Sequence, residues 1–332
     1  MKKMLTMCVV FLLLFSLFIG ISSAAQANKK TIQLGHVLVE TEDSFYQYFA
    51  VEFAKRINEY SNGSVIIDII GNSQLGGERD IVEGMQLGTI DMAIVGNFIL
   101  GSFESKCMIF DLPYIFTNYD AAKKVVNSDI VKKVDDAMAA KNLILLSRGQ
   151  GGFRHTINSV RPIRELSDIN GLKIRVPENA LYMETFRALG ANATPMAWPE
   201  VFTGLQQKTV DGAENAVQSI LNERFYEAAS YISATSHFFN PAAMIISKKL
   251  WDTFSKEEKD FFMKAAKEAA EVQWQFVVDR EQLIFKELEN LGAIVNQDVN
   301  LDVFRKTVLP IYDKFRDQIG VDLIDAVLEL TK

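Results

Sequence analysis

Between Ser255 and Leu291 the chain has neither proline nor glycine, and no other stretch constrains the fold as strongly. Ser255-Lys256-Glu257-Glu258 fits a capping box, with Ser255 as N-cap and Glu258 at N3, and Gly292 supplies the stop. The spacing predicts one helix of roughly 36 residues, which at 1.5 Å per residue is about 54 Å long. A lobe of about 150 residues has a radius of gyration of only about 15 Å. Such a helix must therefore run across two lobes, or bend where it passes between them. A coiled coil is excluded, because Phe261, Phe262, Ala265, Ala266 and Ala269 give way to an irregular Val272, Phe276 and Val277.

The rest of the chain alternates strand and helix signals. Thr31 to Leu38, Ser64 to Ile70, Asp91 to Val95, Leu143 to Ser147 and Leu172 to Val176 read as strands. Helical patterns cover Ser44 to Tyr60, Arg79 to Leu87, Ala180 to Leu189 and Trp198 to Gln207. Glu83-Gly84-Met85-Gln86-Leu87-Gly88-Thr89-Ile90-Asp91-Met92-Ala93 returns 120 positions later as Thr203-Gly204-Leu205-Gln206-Gln207-Lys208-Thr209-Val210-Asp211-Gly212-Ala213. Both copies read as a helix end, a tight turn and a short apolar strand, which points to a duplicated lobe. The expected fold is α/β, two-lobed, with mixed but mostly parallel sheets and a ligand cleft between the lobes. Because the long helix follows the second lobe yet reaches back to the first, each lobe is expected to be discontinuous. Lobe I is placed at 28–151 plus 241–280 and lobe II at 152–240 plus 281–332.

Residues 1–27 read as a cleavable export signal rather than part of the fold. Lys2 and Lys3 precede an apolar run from Val9 to Ile21, and Ala25-Gln26-Ala27 is an A-x-A cleavage pattern. The run is short for a membrane-spanning helix, which argues against an uncleaved anchor. The mature chain is expected to begin at Asn28 and to be exported as a free protein. Cys8 falls within the signal, leaving Cys107 in apolar Cys107-Met108-Ile109-Phe110, where a small buried hydrophobe is the expected role. No internal disulfide is then possible.

The formal net charge is −7, and becomes −9 once Lys2 and Lys3 are removed. That excludes the basic surface a nucleic-acid binder needs. Enzyme signatures are scarce. No G-x-S-x-G, H-E-x-x-H, Walker loop or C-x-x-C occurs, and His36, His155 and His237 are widely separated. No catalytic residue, metal ligand set or cofactor is expected. Gly149-Gln150-Gly151-Gly152 lacks a phosphate-binding register and is expected to be a flexible crossing between lobes.

Arg175 is the most specific candidate. In Leu172-Lys173-Ile174-Arg175-Val176-Pro177 it sits at the C-terminal end of a strand, where open α/β sheets build ligand crevices. Its guanidinium there either grips a carboxylate through two parallel hydrogen bonds or pairs with a lobe carboxylate such as Glu178. Arg154, just after the glycines, is placed either at the cleft wall or on the surface. Trp198 is placed against an apolar part of a ligand or in the core. Asn215, just past the repeated turn, is placed in ligand contact or in the turn. Both arginines are expected to face the cleft, so that changing either leaves folding intact.

Several ordered motifs resemble one family across essentially the whole mature chain. They are Asn72-Ser73-Gln74-Leu75-Gly76-Gly77, Gln86-Leu87-Gly88-Thr89-Ile90-Asp91, Asp111-Leu112-Pro113-Tyr114, Asn158-Ser159-Val160-Arg161-Pro162-Ile163, Gly171-Leu172-Lys173-Ile174-Arg175-Val176 and Val210-Asp211-Gly212-Ala213-Glu214-Asn215. The chain resembles the extracytoplasmic solute-binding proteins of tripartite ATP-independent periplasmic (TRAP) transporters, the DctP family. The resemblance implies a periplasmic-binding-protein-like receptor that captures an organic acid and delivers it to integral membrane subunits. It implies that Arg175 anchors the carboxylate, Arg154 is a second basic contact, Asn215 a polar contact and Trp198 an aromatic wall. It implies that Glu78 reaches ligand hydroxyls, as in sialic-acid-binding members. Val37 and Gly96-Asn97 depart from those members, so a smaller sugar acid or a C4-dicarboxylate is expected instead of sialate. The alternative class is a secreted hydrolase of acidic substrates, which would need a nucleophile–base pair or a metal cluster.

Overall fold

The structure is a computed structural model and describes residues 29–331. The expected signal segment, its cleavage site and Cys8 lie outside the described residues.

Nine strands form one sheet: β1 (Lys30–Gly35), β2 (Val65–Ile70), β3 (Met92–Gly96), β4 (Leu143–Asn158), β5 (Lys173–Val176), β6 (Asn192–Pro195), β7 (Gly212–Ala216), β8 (Tyr231–Ser247) and β9 (Ile294–Asn296). Their order is β2-β1-β3-β8-β4-β7-β5-β6, with β9 beside β8. The outer groups β2-β1-β3 and β6-β5-β7 are parallel, as expected for strands joined through helices. The two central strands run antiparallel to each other.

The internal repeat is a structural one. In the first copy the Thr89 N–H donates to the Gly84 carbonyl at 2.9 Å, and in the second Thr209 donates to Gly204 at 2.9 Å. Left-handed backbone closes both helices, at Gly88 (φ 73°) and at Lys208 (φ 58°). The Asp91 carboxylate accepts the Gln33 N–H of β1 at 3.1 Å, and Asp211 accepts the Lys173 N–H leading into β5 at 2.8 Å. Of the residues identical at offset 120, the Gly and Thr thus close each turn and the Asp ties it to the neighbouring strand.

The long helix runs unbroken over Lys256–Asn290, 35 residues, with the Ser255–Glu258 capping box formed. Its first two-thirds pack Phe262, Ala266, Ala269 and Trp274 into the main core, where Phe262 meets Phe53 edge-on at 5.7 Å. Its end packs Ile284, Phe285 and Leu288 into a second core with Val201, Leu205, Phe225 and Ile232. One helix therefore serves both lobes, as its length requires. No helix among the described residues is long and apolar enough to cross a membrane.

The glycine run departs from expectation. Gly149–Gly152 is not a loop but the middle of β4, a strand of 16 residues with a bulge between Gln150 and Phe153. A Cβ on Gly149 would lie 2.4 Å from Gln273 Oε1, and one on Gly151 would lie 2.8 Å from Asn240 Nδ2. Only Gly152 has a backbone angle that favours glycine, φ +85°. These glycines let polar side chains come close to the strand. Its partner β8, 17 residues, carried no clear strand signal because both its faces are covered. Cys107 is fully buried and unpaired, and burial pushes its thiol far above the usual range, as suits a packing role.

Candidate functional site

Strand β5 aligns Arg175 with Ala213 of β7 and Thr194 of β6, and Pro177 ends the strand two residues later. The side chain is 3% exposed. Nε and Nη2 both donate to the Met196 carbonyl, at 3.0 and 2.6 Å, so one edge of the guanidinium is fixed by backbone. Glu178 pairs instead with Arg79, at 3.9 Å. Among the described residues no carboxylate lies within ion-pair distance of Arg175. Burial lowers its pKa to about 10, with the Glu214 carboxylate acting in the opposite direction. Trp198 packs on Phe225 at 5.4 Å, and the Arg175 guanidinium lies 5.8 Å from the indole centre, so the ring joins core and cleft.

Arg154 stands on β4 and is wholly buried, not on the surface. Its Nε and Nη2 donate to Glu214 Oε2 and Oε1 at 2.5 and 2.6 Å, and Nη2 also reaches the Glu214 carbonyl at 3.0 Å. Phe98 and Tyr182 cover the guanidinium at 5.2 and 5.5 Å. His237 Nε2 lies 3.2 Å from Glu214 Oε2. Burial opposes charge on both partners, yet each outweighs it for the other: Arg154 is pushed up and Glu214 held below the usual carboxylate range.

Glu78 opens the helix Glu78–Leu87 and is 8% exposed. Its Oε1 accepts the Gly96 N–H at 2.7 Å and the Tyr46 hydroxyl at 3.2 Å. Burial raises its pKa to about 7, although these donors and the nearby Arg154 and Arg175 oppose the rise. Gly96 thus supplies a backbone donor to Glu78. Asn97 donates to Asp111 Oδ2 at 3.0 Å, and burial pushes Asp111 well above the carboxylate range. Asn215 lies two residues beyond Ala213, on the face of β7 that Arg175 shares by register. Its Oδ1 accepts the Ala216 N–H at 2.8 Å. Val37 is an apolar core residue, 4% exposed.

Sequence reasoning missed four residues of this cluster. Glu214 stands beside Asn215 in a motif already singled out, but only folding brings it to Arg154. Tyr46, Tyr182 and Asn240 come from elements with no motif of their own. The Tyr182 hydroxyl and Asn240 Oδ1 are buried without a partner. The cluster is closed over. Asn179 Nδ2 donates to the Phe98 carbonyl at 2.5 Å, Ser102 Oγ to the Glu178 carbonyl at 3.1 Å, and the Val39 N–H to Glu223 Oε1 at 3.1 Å. Among the described residues no cluster of three or more His, Cys, Asp or Glu is arranged to hold a metal ion.

Residues 34–318 match the family described as bacterial extracellular solute-binding protein, family 7. The chain belongs to that family, DctP. Solved relatives share the whole architecture. A TRAP periplasmic solute-binding protein from a Polaromonas species, bound to D-erythronate, is 36% identical with a TM-score of 0.87, over 90% of this chain and 98% of the other. A sugar-acid-binding protein from Advenella mimigardefordensis, in complex with galactonate, is 31% identical with a TM-score of 0.88, over 92% and 98%. A TRAP solute-binding protein from Sulfurospirillum deleyianum, with bound succinate, is 27% identical with a TM-score of 0.85, over 91% and 99%. DctP proteins are extracytoplasmic solute receptors, and the two-lobed form of the solved relatives is the form of this chain.

Proposed function

We propose that this DctP protein captures a small organic acid in the periplasm, with Arg175 gripping the carboxylate, and hands it to the membrane subunits of a TRAP transporter. One observation carries the reading: Arg175 is a buried, positioned guanidinium to which no described carboxylate is paired. A buried cation without a partner is costly, so the site favours an anionic ligand. Asn215 on the same face, Glu78 and the Trp198 ring would complete the contacts, while Arg154 would add a field already half-neutralised by Glu214. The relatives with bound sugar acids and succinate support an acid as ligand. The lobes, at 28–151 plus 241–280 and 152–240 plus 281–332, would close by hinge bending. The pairing of β3 with Ala242–Ile246 and of β7 with Arg154–Asn158 supports that division.

The test is a thermal-shift screen of organic acids, followed by calorimetry on Arg175→Lys. Lysine keeps the charge but loses the planar two-donor fork. Binding of the best acid is expected to weaken by roughly 2–4 kcal/mol, with an unchanged circular dichroism spectrum. Affinity within threefold of the parent sinks the assignment of Arg175.

A further inference from the structure

The charge balance of the buried cluster selects among acids. Arg154 and Glu214 neutralise each other through two direct hydrogen bonds, and both are at most 2% exposed. Asp111 is fully buried, with no described cation in ion-pair distance, and burial pushes its carboxyl well above the usual range, toward the neutral form. His237 is buried against Glu214, and burial lowers its pKa, so it is neutral as well. That leaves Arg175, with one positive charge, and Glu78, whose oxygen is shared between the Gly96 N–H and the Tyr46 hydroxyl. The groups facing Glu78 are Tyr46 from the Phe45–Tyr60 helix, Arg154 from β4, Arg175 from β5 and Tyr182 from the Ala180–Ala188 helix. None adds a further negative charge at neutral pH.

We infer that the site takes a monocarboxylate bearing hydroxyl groups, discriminates against C4-dicarboxylates, and binds its acid together with a proton on Glu78. The inference rests on the reading of this cleft as the acid site. With Glu78 protonated the cluster carries one net positive charge, which one carboxylate cancels. A second carboxylate would be an uncompensated buried anion. The groups left without partners suit hydroxyls instead: the Tyr182 hydroxyl and Asn240 Oδ1 are both buried and unsatisfied. Hydroxyl groups can both donate to an amide oxygen and accept from a phenol, whereas a second carboxylate only accepts and would leave Asn240 unsatisfied. With its pKa raised to about 7, Glu78 is only partly ionised at pH 7. A carboxylate arriving at Arg175 favours the protonated form, so binding is accompanied by proton uptake.

Four-carbon probes separate charge from size. Calorimetry at pH 7 is run with D-erythronate, L-malate and succinate, in buffers of different ionisation enthalpy. Erythronate is expected to bind at least tenfold more tightly than malate or succinate. Its apparent enthalpy is expected to vary between buffers in the direction of proton uptake, and Glu78→Gln is expected to abolish that variation. Malate or succinate binding as tightly as erythronate overturns the inference while leaving the acid-receptor reading intact. A parent enthalpy that does not vary with buffer overturns the proton-coupled part. If none of the three binds, and a wider acid screen is also silent, the receptor reading itself fails and takes the inference with it.

Discussion

Arg154 and Glu214 lie on neighbouring strands and meet through two hydrogen bonds of 2.5 and 2.6 Å in the buried centre of the molecule. The pair is as much a part of the core as of the cleft. Removing one partner strands a buried charge, which costs about 3–5 kcal/mol. Glu214→Gln is therefore expected to lower stability by that amount in urea denaturation. Arg154→Lys is expected to be destabilising too, contrary to the view from sequence that both arginines could be changed without affecting folding. A variant within 0.5 kcal/mol of the parent would show that the pair is dispensable.

The repeated aspartates give a matched comparison. Asp91→Ala and Asp211→Ala each remove a side-chain acceptor from a strand N–H, and each is expected to cost about 1 kcal/mol of stability. Only Asp211 holds the strand that carries Arg175, two residues beyond Lys173. Acid binding is expected to weaken severalfold in Asp211→Ala and to stay unchanged in Asp91→Ala. Equal effects on affinity would refute a local positioning role.

Gly149→Ala tests why the middle of β4 is glycine. The new methyl would press on Gln273 Oε1, which accepts the Gln150 N–H at 2.8 Å. A loss of about 1–3 kcal/mol is expected from crowding and a disturbed buried acceptor. Combined with Gln273→Ala, the two losses are expected to add to less than their sum, because they disrupt one contact. Full additivity in a denaturation cycle would mean the glycine serves chain flexibility instead.

The stability contributed by Glu223 and Glu78 is expected to fall as pH rises from about 5 to 8. Burial raises the Glu223 carboxyl from its ordinary 4.5 to about 7, despite the Val39 N–H, and Glu78 is raised to about 7 in the same way. A group whose folded pKa lies above its unfolded value stabilises fully below the unfolded pKa. That contribution is lost as pH passes up through the folded one. Glu223→Gln keeps an oxygen to accept the Val39 N–H but cannot ionise, so its stability profile is expected to be flatter over this range. A profile as steep as the parent's would exclude Glu223 as a source of the slope.

The parts of the fold legible in the sequence were those with local causes. The long helix announced itself by a capping box and a run without breakers, and the repeated turn by residues whose hydrogen bonds close within a few positions. The place of Arg175 at a strand end was legible because a strand pattern and a proline sit side by side. What was not legible depends on distance along the chain. Glu214 meets Arg154 across 60 positions, Tyr46 meets Glu78 across 32, and Gln273 meets Gln150 across 123. The glycines of β4 looked like a loop because glycine is read as freedom, whereas here it makes room for side chains that approach from elsewhere in the sequence.

The two central strands carry a consequence for whether either half of the chain could stand alone. Each copy of the repeat is followed by a strand, β4 after the first and β8 after the second. Neither stays with the copy it follows: β4 lies beside β7, and β8 lies beside β3. By pairing, the copies have exchanged arms, in the manner of two intertwined subunits. A polypeptide stopped after β4 would hold a strand with no partner at home and a sheet edge awaiting one. Two such halves would complete each other, in the arrangement the full chain achieves alone.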